Sequence, residues 1–236
     1  MKRDVKVAII DNSLWPNIYP PVEHWGRHLD VSFDVFVARE GRFPDPSAYS
    51  HVILTGSEAS ILERDPWVDK EISYAVRAIE AGAAVLGSCW GHQLLALALA
   101  GESHVRRCAR PEIGWIPIRV LRDNDLLGPS GTPYVFSSHF DEVRDLPDAF
   151  EVLASTEVCP VQAFRLKGRP VWGLQSHPEI DIPTGRKFLE DLVAADFKGR
   201  EYLLEALSRP PRDSGLIRRI AGNFLGADLT DPVRRD

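Results

Sequence analysis

Leu86-Gly87-Ser88-Cys89-Trp90-Gly91-His92-Gln93-Leu94 is the stretch on which the reading of this chain turns. Before it runs Ala83-Ala84-Val85-Leu86, short, apolar and strand-like. After it runs Leu94-Leu95-Ala96-Leu97-Ala98-Leu99-Ala100, an apolar run of good helix formers stopped by Gly101. A cysteine set between glycines at a strand-to-helix junction has the layout of a nucleophile elbow. The sharp turn holds the reactive residue in a strained backbone conformation, and small neighbours remove clashes, which accounts for Gly87 and Gly91. The thiol then projects from the C-terminal edge of a sheet. There the first turn of the next helix offers unpaired N–H groups and a positive dipole end, which favour a thiolate and make the Trp90 N–H an oxyanion donor. An inert buried thiol in a tight turn fits the same nine residues, so the decision rests on the rest of the chain.

Upstream, Val5–Ile10, Val35–Val37 and His51–Leu54 are buried-strand candidates. Asp65-Pro66 supplies a cap and a first-turn proline, and Val68, Ile72, Val76 and Ile79 then recur at helical spacing up to Gly82. With the elbow's own strand and helix the order is βαβα, which implies a parallel sheet with helices on its faces. Beyond Gly101 come strand-like segments between turns: Trp115–Leu121, Tyr134–Ser137, Phe150–Ser155, Val161–Leu166 and Val171–Gln175. The pattern returns to helix from Thr184 to about Leu207, breaks at Pro210-Pro211, and ends in an amphipathic segment carrying Leu216, Ile217, Ile220 and Phe224. The expected fold is α/β: a mixed, mainly parallel central sheet flanked by helices, with a small antiparallel extension. One domain is expected over residues 1–236, its core at about 5–192 and a helical C-terminal extension at about 193–236.

Composition removes several classes of function. A formal net charge of -6 gives no basic footprint for nucleic acid. The apolar run after the N-terminus is too short for a signal peptide, and none reaches the roughly 20 residues of a membrane span. Three cysteines form no C-x-x-C pair, and seven histidines show no H-E-x-x-H spacing, so neither a disulfide framework nor a metal is expected. No cofactor, no nucleic-acid or membrane partner and a cytoplasmic location are the expectations. Cys108 and Cys159, lacking flanking glycines and a nearby base, read as packing residues. Trp15, Trp25, Trp67, Trp115 and Trp172 read as core or interface anchors.

The second decisive stretch is Trp172-Gly173-Leu174-Gln175-Ser176-His177-Pro178-Glu179, where a histidine follows a strand and a carboxylate stands two positions on. A base and its orienter are thus available to the elbow cysteine. Gly87-x-Cys89-x-Gly91-x-Gln93 together with His177-Pro178-Glu179 resembles the class I glutamine amidotransferase family. So do Thr55-Gly56-Ser57, at the place of the family's oxyanion loop, and Ser137-Ser138-His139-Phe140-Asp141, which is similar to its S-H-x-D segment. The resemblance runs from Val5 to about Leu192, and Val152–Ser155 with Cys159–Phe164 look like the free-standing, GMP synthase-like branch.

The resemblance implies Cys89 as nucleophile, His177 as base and Glu179 as orienter, hydrolysing a side-chain amide through a glutamyl thioester. It implies backbone donors around Gly56, Ser57 and Trp90 for the oxyanion. Gln93 and the backbone from Ser138 through His139 and Phe140 to Asp141 are implied to grip the substrate. His139 is the rival base, since Asp141 repeats the His177-to-Glu179 spacing; the resemblance favours His177. His92 reads as a packing or capping residue. The Trp90 side chain is expected to narrow the glutamine pocket or to lie under an acceptor. Gly56-Ser57-Glu58-Ala59-Ser60 departs from the Gly-Gly-Pro or Gly-Pro-Gly of many members, and Glu58 at the mouth is expected to disfavour a second carboxylate or to select an amine-bearing substrate.

After Leu225 there is no P-loop, ATP-pyrophosphatase signature or synthase domain, so the expected acceptor of ammonia lies on another chain. Three readings stay open. One is a glutaminase that supplies a separate synthase; another is a self-sufficient hydrolase of γ-glutamyl peptides. The last is a non-catalytic binding or regulatory module, against which the intact Cys89, His177 and Glu179 argue.

Overall fold

The computed structural model describes residues 5–229. Strands β1 (Val7–Asp11), β2 (Phe33–Val37), β3 (His51–Leu54) and β4 (Ala84–Ser88) come from the first half of the chain. The second half supplies β5 (Val105–Pro117), β6 (Arg119–Val120), β7 (Tyr134–Val143), β8 (Phe150–Ser155), β9 (Ala163–Leu166) and β10 (Val171–Leu174). Eight of these form one sheet in the order β2-β1-β3-β4-β10-β9-β8-β6, while β5 and β7 form a separate two-stranded ribbon. Pairing is parallel from β2 to β10 and antiparallel from β10 to β6, so the mixed, mainly parallel sheet expected from the sequence is the one observed.

The central strands are apolar on both faces because both are covered. Ala8, Ile10, Val52, Leu54 and Val85 point into one core, and Val7, Ile9, Ile53, Ala84 and Leu86 into the other, following the two-residue alternation of a strand. Helices α2 (Val68–Glu80) and α3 (Trp90–Ala100) close the first core. Helices α1 (Pro21–Gly26) and α6 (Ile217–Leu225) close the second with Trp25, Ile217, Ile220 and Phe224. A third cluster joins Tyr19 and Phe136 to Phe188, Leu189 and Leu192 of α4 (Ile182–Ala194) and to Leu203 and Ala206 of α5 (Arg200–Ser208).

Several local expectations are corrected. The helical pattern read from Thr184 to about Leu207 is divided into two helices. Asp181 caps α4 by accepting the Thr184 N–H at 2.9 Å, and the chain then breaks before α5 at Gly199, which holds the left-handed φ of 76°. The strand expected from Trp115 begins at Val105, and its pairing with β7 shifts register between Arg107 and Glu112; this irregularity hides the two-residue pattern in Arg106–Pro111. Helix α1 is too short for a readable period. Trp15, expected as a core or interface anchor, is 42% exposed and so lies outside the core, where it meets Phe197 edge-on. Among the described residues no helix is long and apolar enough to cross a membrane.

Candidate active site

The register of β10 against β4 assembles the site. Trp172 pairs with Leu86, Gly173 with Gly87 and Leu174 with Ser88, so the residues following the two strands emerge side by side. The Cys89 N–H donates to the Leu174 carbonyl at 2.7 Å, tying the elbow to the strand that leads into His177. Cys89 has φ 48° and ψ -98°, a conformation L-residues avoid, held by close packing on both sides. A β-carbon on Gly87 would lie 2.3 Å from the Gly91 oxygen, and one on Gly91 would lie 2.2 Å from the Leu54 oxygen. Both glycines are therefore demanded by close approach of backbone to backbone.

Cys89 is 4% exposed, its sulfur 3.8 Å from the Ser138 carbonyl and 3.7 Å from Gln175 Nε2. His177 presents Nδ1 to Glu179 Oε1 at 2.9 Å, and its ring also interacts with the Cys89 sulfur. Glu179 is held in turn by the Tyr19 hydroxyl, which donates to Oε1 at 2.9 Å, and by Ser88 Oγ, 3.4 Å from Oε2. Burial of the His177 ring opposes its charge, but the Cys89 sulfur and the Glu179 carboxylate beside it outweigh this and raise His177 to about 10. Burial pushes the Glu179 carboxyl up, and the adjacent His177 more than offsets this, leaving it lowered. Burial, reinforced by Glu179, keeps the Tyr19 phenol well above its ordinary value and therefore a donor. This arrangement can supply a nucleophile, a charged base and a group that orients it.

At the Gly56–Ser57 loop, a β-carbon on Gly56 would lie 2.6 Å from His177 Cε1. Ser57 Oγ accepts the Ala59 N–H at 3.1 Å and Glu58 Oε2 accepts the Leu14 N–H at 2.8 Å, which together shape the loop. The Trp90 N–H opens α3 and has no intrahelical acceptor. The Trp90 side chain corrects an expectation. It neither narrows the pocket nor lies under an acceptor, but is buried on the Trp67 ring at 5.1 Å and donates Nε1 to Glu71 at 3.2 Å. The indole next to Cys89 turns into the core that α2 and α3 share, toward Trp67 and Glu71.

Ser57, Glu58, Cys89, Gln93, Ser138, His139, Phe140, Asp141 and His177 line one pocket, together with Tyr19, Phe188, Phe197 and Lys198. Gln93 Nε2 is already engaged, donating to the Asp141 carbonyl at 2.8 Å and to Gln175 Oε1 at 3.3 Å, so its amide fixes β7 against α3. His139 is not a second dyad with Asp141. Its Nε2 lies 3.0 Å from Glu112 and its Nδ1 3.0 Å from the Asp141 backbone carbonyl, while the Asp141 carboxylate binds Ser60 at 2.7 Å and Arg107 at 2.9 Å. Equal spacing in sequence gave different partners because His139 and Asp141 lie within a strand, whereas a proline turn brings Glu179 back onto His177.

Glu112, His139 and Cys159 bring donor atoms within 4.8 Å of one another. Thr156, Gln162 and His139 already occupy the Glu112 oxygens, which makes this a hydrogen-bonded polar cluster beside the ribbon. Burial pushes the Cys108 and Cys159 thiols far up, in keeping with packing roles. His92 packs against Phe164 with ring centroids 4.8 Å apart and planes tilted by 36°, and burial lowers it to about 3. Sequence reasoning missed Tyr19, Ser88 and Gln175. Tyr19 lies in a proline-flanked loop without a periodic pattern, and nothing local marks it.

A sequence model of glutamine amidotransferase class-I matches residues 22–195. The chain belongs to that family. A glutamine-hydrolyzing GMP synthase subunit of Methanocaldococcus jannaschii is 38% identical over 123 residues, a match covering 51% of this chain and 63% of that relative. The corresponding GMP synthase subunit of Methanosarcina mazei is 29% identical over 181 residues, covering 75% of this chain and 89% of the relative. A glutamine amidotransferase of Thermotoga maritima shares the fold, with a TM-score of 0.74 and 23% identity over 95% of this chain and all of the other. In this amidotransferase the matched region ends just short of Lys198, so the loop that closes one wall of the pocket lies outside it.

Proposed function

We propose that this amidotransferase hydrolyses the side-chain amide of glutamine through a glutamyl thioester and delivers the ammonia to a synthase on another chain. Cys89, as thiolate, attacks the amide carbon, and backbone N–H groups of the Gly56–Ser57 loop and of Trp90 hold the developing oxyanion, each worth about 3 kcal/mol in comparable sites. His177 donates its proton to the departing nitrogen as the C–N bond breaks. It then takes a proton from water as the water oxygen adds to the thioester carbon, releasing glutamate and restoring the cysteine. Glu179 keeps the imidazole charged and oriented, and Tyr19 orients Glu179.

The observation that carries this reading is the buried line Cys89, His177, Glu179, with the nucleophile at φ 48° and Nδ1 of the base 2.9 Å from the carboxylate. A synthase partner is supported by the relatives that are GMP synthase subunits, although the match spans only 63% of the M. jannaschii protein. The test is ammonia release from L-glutamine by the purified protein, alone and with a candidate synthase. Release that rises with the synthase supports the proposal. Faster turnover of γ-glutamyl peptides, unaffected by any partner, would favour the self-sufficient hydrolase, and no turnover of either would leave a non-catalytic module.

A further inference from the structure

Gln175 follows β10 directly, is fully buried and stands outside the line of Cys89, His177 and Glu179. Its backbone N–H donates to the Gln162 carbonyl at 2.8 Å, which holds the residue where the strand leaves the sheet. Its side chain lies between the nucleophile and α3. Nε2 is 3.7 Å from the Cys89 sulfur, and Oε1 is 3.3 Å from Gln93 Nε2.

Which end of the Gln175 amide faces the sulfur is decided one residue further away. The Asp141 carbonyl can only accept, and Gln93 lies 2.8 Å from it, so Gln93 must turn its NH2 group that way. The second N–H of that group then meets the Gln175 side chain, whose oxygen faces it and whose own NH2 is left directed at Cys89. The sulfur also has an acceptor beside it, the Ser138 carbonyl at 3.8 Å, which takes the S–H of the neutral thiol. When that proton moves to the His177 ring, which also hydrogen-bonds the sulfur, Ser138 loses its donor and the Gln175 N–H meets a full negative charge. The amide therefore favours the reactive protonation state of Cys89 over the inert one.

We infer that Gln175 is a further catalytic residue, its Nε2–H stabilising the Cys89 thiolate, and that Gln93 is the positioning residue that sets the direction of its amide. This rests on the glutaminase reading, in which Cys89 attacks as thiolate, and adds a side chain that acts on the nucleophile itself. The backbone donors at Gly56–Ser57 and Trp90 act on the substrate oxygen instead.

The test is the pH dependence of Cys89 alkylation by iodoacetamide, read by mass spectrometry of the Cys89 peptide, in the full-length protein and in Gln175→Met and Gln93→Met. Gln175→Met keeps the length of the side chain and removes the donor. Its alkylation profile should move up by about one pH unit, because about tenfold less thiolate forms at a given pH on the rising limb. For the same reason kcat/KM for glutamine should fall about tenfold on the acid limb, and the deficit should narrow above it as alkali restores the thiolate. Gln93→Met frees the amide to turn over and should move the profile the same way by less. An unshifted profile in folded Gln175→Met, or a deficit in kcat/KM equal at every pH, as a purely structural role would give, would overturn the assignment of Gln175. Circular dichroism checks folding; should Gln175→Met not fold, Gln93→Met decides, and an unmoved profile there overturns the inference. Alkylation needs no glutamine, so failure of the glutaminase reading looks different: the profile shifts as expected while the unmodified protein releases no ammonia.

Discussion

Gly56 and His177 are in contact so close that a single methyl group on Gly56 would fall 2.6 Å from Cε1 of the imidazole and 2.8 Å from the Tyr19 hydroxyl. The Gly56–Ser57 loop and the imidazole proposed as base thus share a surface that only glycine fits. Gly56→Ala should displace the ring, and since a misplacement of about 1 Å costs on the order of a hundredfold, kcat/KM for glutamine should fall by about that factor. Far-UV circular dichroism should stay unchanged. Activity within a few-fold of the parent would show that the loop does not position His177.

Tyr19 holds the carboxylate proposed to orient His177. Tyr19→Phe removes one hydrogen bond to a buried carboxylate, an interaction worth about 1.5–3 kcal/mol. Steady-state kinetics should show kcat lowered roughly tenfold or more with KM little changed, because the hydroxyl donates to Glu179 at 2.9 Å and lies 3.2 Å from His177 Nδ1. A rise in KM alone would place Tyr19 in substrate binding instead.

The charge on His177 sets a pH window. Raised to about 10 from its ordinary 6.5, the imidazolium contributes stability that is fully present below pH 6.5 and is lost as pH rises toward 10. The alkaline limb of kcat/KM should therefore lie near pH 10. Glu179→Gln removes one of the two charges that hold the proton and should move that limb down by roughly one unit or more. A limb that does not move would detach Glu179 from the base.

The fold was legible where periodicity was intact. The doubly buried strands around Ile9, Ile53 and Leu86 and the amphipathic runs of α2 and α6 announce themselves by spacing alone. The elbow was legible because Gly87 and Gly91 are forced by backbone contacts, which leave no room for other residues. The break at Gly199 was hidden because α4 and α5 both keep an apolar face toward one cluster, so the period runs on through the turn. Trp90 was misjudged for a related reason. Its neighbourhood to Cys89 in sequence says nothing of direction, and its pairing with Glu71 depends on two helices meeting across the core.

That pairing has its own consequence. Glu71 is fully buried, and burial raises its carboxyl from 4.5 to about 7 despite the bond from Trp90. The unfolded chain gives up this proton at lower pH than the folded one, so stability falls as pH rises from 4.5 through 7. At about 1.4 kcal/mol per pH unit the loss amounts to about 3 kcal/mol. Glu71→Gln should flatten this slope and melt higher than the parent at about pH 8, with the two close at about pH 5. Equal pH slopes for both proteins would detach Glu71 from the effect.

The chemistry stands or falls on a glutamyl thioester at Cys89. It is read out by incubation with a glutamine analogue bearing an electrophile at the amide carbon, followed by mass spectrometry of peptides. One adduct is expected, on Cys89, suppressed by excess glutamine, absent in Cys89→Ala, slowed in His177→Ala, and without labelling of Cys108 or Cys159. Labelling of either other cysteine in place of Cys89, or labelling of Cys89 that glutamine fails to compete, would refute the thioester.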